Sequence, residues 1–181
     1  MGPGRRLHHV DPRAPRGLLY HAVCRFSVTT AGSWLAVKIA WNVDPSMLRL
    51  TRGRLSSAWP VRAALLETVG ARTARRRRTA TLYFHDGDRV ILVAALRGSP
   101  RNPAWYHNLR EHPGVVFGGL PFRAEAVEDE RERERLWGLA ERIYPPYADF
   151  RQDARMAGRD IPLVRLVPGP ADAAPRAQVG A

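Results

Sequence analysis

Between Leu82 and Leu109 three local signals follow one another without a gap, and together they leave few architectures open. Leu82-Tyr83-Phe84 is a short β-rich run, and His85-Asp86-Gly87-Asp88 is a turn whose Asp-Gly pair suits positive φ. Arg89 to Leu96 is apolar enough to form a strand buried on both faces. The spacing predicts a β-hairpin. Arg97-Gly98-Ser99-Pro100-Arg101-Asn102-Pro103 cannot continue a strand, and Asn102-Pro103 reads as an N-cap followed by proline in the first helical position. The helix that begins at Ala104 is expected to stop at His112, before Pro113-Gly114.

Further hairpin chemistry lies on both sides. Val61 to Val69 reads as a strand closed by Gly70, leading into a basic loop from Ala71 to Thr79. Val115 to Phe117 and Phe122 to Val127 form a second hairpin turning at Gly118-Gly119. The alternating charges of Glu128 to Glu134, backed by Leu136, Trp137, Leu139, Ala140 and Ile143, predict a surface helix with one buried face. Tyr144-Pro145-Pro146 breaks that helix and starts another, with Tyr147 and Phe150 on one side. Leu163 to Val167 is a last strand able to close a sheet.

Ahead of these strands, residues 1–16 read as a flexible arm without chemistry, since the His8-His9 pair has no third ligand at metal-binding spacing. A helical segment follows over 17–57. It has two helices parted near Thr30 to Ser33 and a third opened by Asp44-Pro45. Tryptophans and arginines flank the apolar stripes of residues 17–43, so a face resting on a membrane surface is open beside the simpler reading of core packing. The barrel region spans 58–168, and a Pro, Ala and Gly rich tail, 169–181, is expected to be disordered.

Charge bears on function. The net charge is +12, almost all of it arginine, since Lys38 is the only lysine. Codon bias accounts for the choice of arginine over lysine, but the excess of bases over acids points to a polyanionic partner: a phosphate-rich cofactor, nucleic acid or an anionic membrane. Five of the arginines fall within the seven residues Arg72 to Arg78. No stacking aromatics are interleaved there, and no helix-turn-helix, zinc or ribonucleoprotein signature occurs elsewhere. A loop that grips one phosphate-bearing ligand fits better than a nucleic-acid surface. Cys24 is the only cysteine, which excludes an internal disulfide and makes a reducing cytoplasm the default. Neither a signal peptide nor an uninterrupted apolar run of about 18 residues is evident.

Antiparallel hairpins argue against a Rossmann arrangement, and GxGxxG, P-loop, HExxH, CxxC and nucleophile-elbow motifs are all missing. The physical expectation is an α+β domain built on a small barrel.

Leu65-Leu66, Thr68, Gly70, Arg77, Tyr83, Asp86-Gly87-Asp88, Val93-Ala94, Gly98 and above all Asn102-Pro103-Ala104-Trp105-Tyr106-His107-Asn108-Leu109 resemble the deazaflavin-dependent nitroreductase family. The likeness runs from about Gly32 to Pro168 and includes Tyr144-Pro145-Pro146-Tyr147 and Ile161-Pro162. It implies a split β-barrel of the FMN-binding type, with helices around an antiparallel barrel. It also implies an enzyme that takes hydride from reduced coenzyme F(420), a deazaflavin, and passes it to an unsaturated carbonyl, quinone or nitro-type acceptor. F(420) is implied ahead of flavin mononucleotide or haem. Arg72, Thr73, Arg75 and Arg77 would hold its phosphate and acidic tail, with Arg97, Gly98, Trp105 and Asn108 beside it. Tyr144 and Tyr147 would line the pocket of a hydrophobic acceptor and orient it or supply a proton, although core packing accounts for either tyrosine equally well. A monomer or homodimer is expected, and no metal.

Several positions depart from the family's usual residues. Ala74 replaces a glycine and Ala80 a proline, Ala95-Leu96 stand where serine and a polar residue are common, and Glu67 replaces a threonine. A second reading follows from Ala95-Leu96: a non-catalytic barrel that binds a hydrophobic ligand or a partner enzyme.

Overall fold

A computed structural model describes residues 7–26 and 61–169. Its elements run in the order α1 (Leu18–Phe26), β1 (Ala63–Val69), β2 (Arg76–Asp86), β3 (Arg89–Val93), α2 (Ala104–Glu111), β4 (Gly114–Phe117), β5 (Leu120–Ala126), α3 (Glu130–Ile143), α4 (Tyr147–Met156) and β6 (Leu163–Pro168). The strands close into an antiparallel barrel in the order β1-β2-β3-β6-β5-β4, with β4 returning to β1. Closure leaves the barrel no unpaired edge strand.

The two hairpins form as their turn residues dictate. Gly118 and Gly119 join Phe117 to Leu120 with φ of 58° and 85°, the conformation that a two-residue hairpin loop requires at both central positions. In β3 the residues Val90, Ile91, Leu92 and Val93 are all buried, as the unbroken apolar run requires, and the strand lies between β2 and β6. It stops at Val93 rather than Leu96. Ala94 donates its N–H to Pro162 O at 3.0 Å, and the chain then enters a left-handed turn over Leu96–Gly98.

One apolar core fills the barrel and continues under the helices. Leu136, Trp137, Leu139, Ala140 and Ile143 face inward from α3. Each of the leucine and isoleucine side chains, fully buried, contributes roughly 1.5–3 kcal/mol relative to exposure. Asp129 caps α3 by accepting the Glu132 N–H at 2.7 Å, and Arg135 binds both carboxylate oxygens of Asp86 at 2.9 and 2.6 Å, tying the helix to the end of β2.

Within the segment read as an arm, residues 7–16 have partners. β2 runs past the end of β1, and His85 donates its backbone N–H to Val10 O at 2.9 Å while Val10 returns its own N–H to His85 Nδ1 at 3.0 Å. The Tyr83 hydroxyl donates to His8 O at 3.0 Å, and Leu7 packs on Gly118, where a Cβ would lie 2.5 Å from Leu7 Cδ2. The His85 N–H, which lies beyond the reach of β1, is thereby satisfied. The first helix expected between 17 and 43 is α1; the second, and the one opened by Asp44-Pro45, lie outside the described residues, as does the tail beyond Gly169. Among the described residues no helix is long and apolar enough to cross a membrane.

Candidate functional site

The basic segment is not a loop throughout. β2 begins at Arg76, so the turn comprises residues 70–75 and the remaining arginines belong to a strand. Gly70 donates its N–H to Arg75 O at 2.8 Å and accepts from the N–H groups of Thr73 and Ala74 at 3.2 and 2.9 Å. This tight wrap holds Ala74 at φ 51°, a left-handed conformation that favours glycine, and gives the family's usual glycine there a physical reason.

Strand periodicity then sorts the arginines. Glu67 is paired across the ladder with Arg78, and Thr68 with Arg77. Side chains alternate between faces, so Arg76 and Arg78 share the face of Glu67 while Arg77 shares that of Thr68. Arg78 Nε lies 3.1 Å and Arg76 Nη1 3.6 Å from Glu67 Oε2. The acid at position 67 is thus neutralised on the opposite face from Arg77. Among the described residues Arg72, Arg75 and Arg77 have no carboxylate partner, and all three are exposed. Thr73 Oγ1 accepts a long 3.5 Å contact from Arg77 Nη2. Unneutralised guanidiniums carried on and beside one turn are suited to phosphate and carboxylate oxygens.

α2 connects this turn to the rest of the site. Asn108 is buried; its amide nitrogen donates to Thr68 Oγ1 at 3.0 Å and its carbonyl accepts the Ala71 N–H at 3.0 Å. The side chain anchors the turn to the helix. Trp105 is buried, with its ring edge-on to Tyr106 at 6.4 Å. The expected N-cap is displaced by one residue: Pro103 occupies that position without a side-chain cap, and Asn102 Oδ1 instead accepts Arg159 Nη1 at 2.7 Å.

A second group of predicted residues gathers at α4. Tyr144 and Tyr147 meet edge to face at 5.2 Å, with Phe150 at 6.1 and 6.3 Å from their respective rings and Trp137 at 6.3 Å from Tyr147. Tyr147 is 5% exposed, and burial raises its phenol well above the usual value, whereas Tyr144 is half-buried. Tyr20 of α1 joins them by donating its hydroxyl to Ile143 O, and burial pushes that hydroxyl up to about 12. The left-handed turn Leu96–Gly98 packs on the same helix. A Cβ on Gly98 would stand 2.7 Å from Asp153 Cβ and 3.1 Å from Phe150 O, so only glycine fits.

The structure therefore brings Arg72, Thr73, Arg75 and Arg77 together with Asn108, and Gly98 and Arg97 to the helix that carries Tyr147. The two groups are linked through the 99–103 segment and α2. Arg159, Thr68 and Tyr20 make contacts within these two groups that the sequence alone does not assign. For Arg159 the local signal was its place directly after Gly158, the glycine at φ 73° that ends α4. Among the described residues no group of three or more His, Cys, Asp or Glu side chains could hold a metal ion.

Comparison with known proteins gives a consistent answer. Residues 42–168 match the family model described as F420H(2)-dependent quinone reductase. A F420H(2)-dependent quinone reductase of Mycobacterium tuberculosis (strain H37Rv) is 34% identical over 133 residues, covering 69% of this chain and 87% of that protein. Among solved structures, one described as a F420-H2 dependent reductase superposes with a TM-score of 0.51 at 32% identity, covering 58% of this chain and 93% of its own. Another, described as a domain-swapped dimer, gives a TM-score of 0.53 at 26% identity, with 70% and 97% covered.

Proposed function

We propose, from the premise that this chain belongs to the F420H(2)-dependent quinone reductase family, that it is an oxidoreductase that takes hydride from reduced F(420) and delivers it to a quinone-type acceptor. The observation that carries this reading is the turn at 70–75 with its flanking strand, where Arg72, Arg75 and Arg77 stand exposed and without carboxylate partners among the described residues. That donor set fits a coenzyme bearing a phosphate and a polycarboxylate tail, and it fits haem or plain flavin less well, since neither needs so many guanidiniums.

Arg72, Thr73, Arg75 and Arg77 bind the anionic end, and Arg97, Gly98 and Trp105 border the ring end. Asn108, with both ends of its amide engaged inside the protein, acts by holding the turn. When bound, the reduced deazaflavin supplies a hydride, and a quinone that takes it with one proton becomes the hydroquinone. Tyr144, half-buried beside Tyr147, is the proton donor in this reading, and solvent returns the proton to it. Tyr147, buried and resistant to ionisation, is an apolar wall and orients its neighbour. Enones and nitroarenes remain further acceptors to screen.

Other features support the wider reading. α1 exposes Leu18, Leu19 and Phe26, which favours peripheral membrane contact through residues 17–43 of a cytoplasmic protein. The domain-swapped neighbour favours a homodimer over a monomer.

The deciding experiment is titration of the purified protein with oxidised F(420), followed by fluorescence, with flavin mononucleotide and haem in parallel. Saturable binding selective for F(420), followed by quinone turnover with its reduced form, is expected. Absence of binding in folded protein would overturn the proposal.

A further inference from the structure

Among the described residues, two stretches hold residues other than glycine at positive φ, at Ala74 and at Leu96–Arg97, and the second is gripped by a side chain from elsewhere in the chain. Leu96, Arg97 and Gly98 follow one another with φ of 42°, 54° and 74°. A left-handed turn in which two of three residues carry a Cβ does not persist unless its surroundings over-determine it, and such turns cluster at functional sites. Inside the turn the Gly98 N–H reaches Ala95 O and the Ser99 N–H reaches Leu96 O, both at 3.1 Å.

Arg159 supplies the rest of the restraint. Its Nη1 donates to Asn102 Oδ1 at 2.7 Å, to Arg101 O at 2.9 Å and, at 3.5 Å, to Ala94 O, while Nη2 donates to Ala95 O at 2.8 Å. These acceptors lie on both sides of the turn, so one planar guanidinium fixes the residues where the chain leaves β3 and those where it approaches α2. All four acceptors are neutral. Among the described residues Arg159 has no carboxylate partner; Asp160 lies 3.7 Å from Arg155 instead. The fork geometry of arginine, with five donors in one plane, is what allows one head group to span separated carbonyls, and an ammonium cannot reproduce it.

We propose that Arg159 is a positioning residue for cofactor binding: it holds the Leu96–Gly98 turn in the shape that presents Arg97 and Gly98 to the coenzyme, an inference that rests on the F(420) reading above. The substitution of Ala95-Leu96 for polar residues makes this more pressing, because the segment binds through its backbone shape and Arg97 rather than through a hydroxyl of its own.

The test compares wild type with Arg159→Lys, Arg159→Met and Asn102→Ala. Circular dichroism verifies folding, hydrogen exchange reads the amides of Gly98 and Ser99, and oxidised F(420) is titrated by fluorescence. Arg159→Lys and Arg159→Met are expected to speed exchange at both amides at least tenfold while barrel amides stay protected. Both should weaken F(420) binding by about tenfold, and Asn102→Ala should move both readouts in the same direction by less. Failure of lysine to rescue identifies shape rather than charge. Full rescue of affinity by Arg159→Lys overturns the proposal, as does unchanged exchange in the variants or unchanged affinity despite faster exchange. Should neither Arg159 variant fold, Asn102→Ala decides by the same two readouts. A wild type that fails to bind F(420) removes the cofactor reading itself and this role with it, whereas binding by wild type and variants alike sinks only the role of Arg159.

Discussion

The amide of Asn108 donates to the hydroxyl of Thr68 at 3.0 Å, joining the two polar side chains that are buried among the described residues. One lies on α2 and the other near the end of β1, so this bond and the companion bond from the Ala71 N–H set where the arginine turn stands relative to the helix. Asn108→Leu leaves the buried Thr68 hydroxyl without its donor and frees the Ala71 N–H of the turn. A loss of about 2–3 kcal/mol in stability is expected, seen as a melting temperature lower by roughly 4–10 °C. F(420) affinity should fall with it, because the turn loses its anchor. Differential scanning fluorimetry and fluorescence titration read the two effects, and an unchanged melting temperature would contradict this account.

Arg77 and Arg78 are adjacent and carry the same charge, yet they occupy opposite faces of β2. Arg77→Ala should weaken F(420) binding by about ten- to a hundredfold, the size of a lost charge-assisted hydrogen bond or bidentate contact, with the fold intact. Arg78→Ala removes a partner of Glu67 and should change affinity by no more than about threefold, the residual effect of long-range charge. Equal losses in both variants would show that the segment acts by net charge alone.

Ala74 sits at φ 51° in the tightest part of the turn. Ala74→Gly removes the left-handed penalty of about 1–2 kcal/mol and adds about 0.5–1 kcal/mol of chain entropy in the unfolded state. A net gain of about 0.5–1 kcal/mol is expected from denaturant unfolding. Destabilisation on this substitution would argue that the turn has another shape in solution.

His85 links acidity to the N-terminal segment. Its Nδ1 accepts the Val10 N–H at 3.0 Å, which requires an unprotonated nitrogen, and its ring lies 4.5 Å from that of His9. Burial and the neighbouring His9 lower its pKa below the ordinary histidine value. A lowered folded-state value means that the unfolded chain binds the proton more readily, so this contribution is complete above about pH 6.5 and is lost as pH falls through the lower folded value. Stability measured between pH 7.5 and 5 should therefore decline, and His85→Gln should flatten the decline. A slope unaffected by the substitution would assign the pH dependence to other groups.

How much of this was legible in the sequence follows from the range over which each signal acts. The Gly118-Gly119 hairpin and the inward stripe of α3 are local, set by turn chemistry and by a helical period, and both formed where expected. The Ala71 to Thr79 loop was misread because charge hides β-periodicity: Arg76, Arg77 and Arg78 occupy alternating faces of a strand that extends to Asp86. Asn102 looked like a cap because its local pattern was complete, but Arg159, distant in sequence, takes its side-chain oxygen. The partners of Asn108 were invisible for the same reason, since Thr68 is reached only through the fold. Of the family-derived residues, Arg72, Arg75, Arg77 and Asn108 share one neighbourhood, and Arg97, Gly98 and the tyrosines another, an arrangement that no spacing rule contains.

Barrel closure has a consequence for how the protein is made. β3 is apolar along its buried length and pairs on one side with β2, its immediate predecessor, but on the other with β6, where Val93 meets Leu163. About 70 residues therefore leave the ribosome between the first sticky strand and its second neighbour, several seconds at typical synthesis rates of ~5–20 residues per second. During that interval the nascent β2–β3 ribbon shows an unsatisfied edge to every other polysome product nearby. Heterologous expression at lowered temperature, or with a chaperone that shields extended apolar segments, should raise the yield of folded protein more than any change to the surface of the finished barrel.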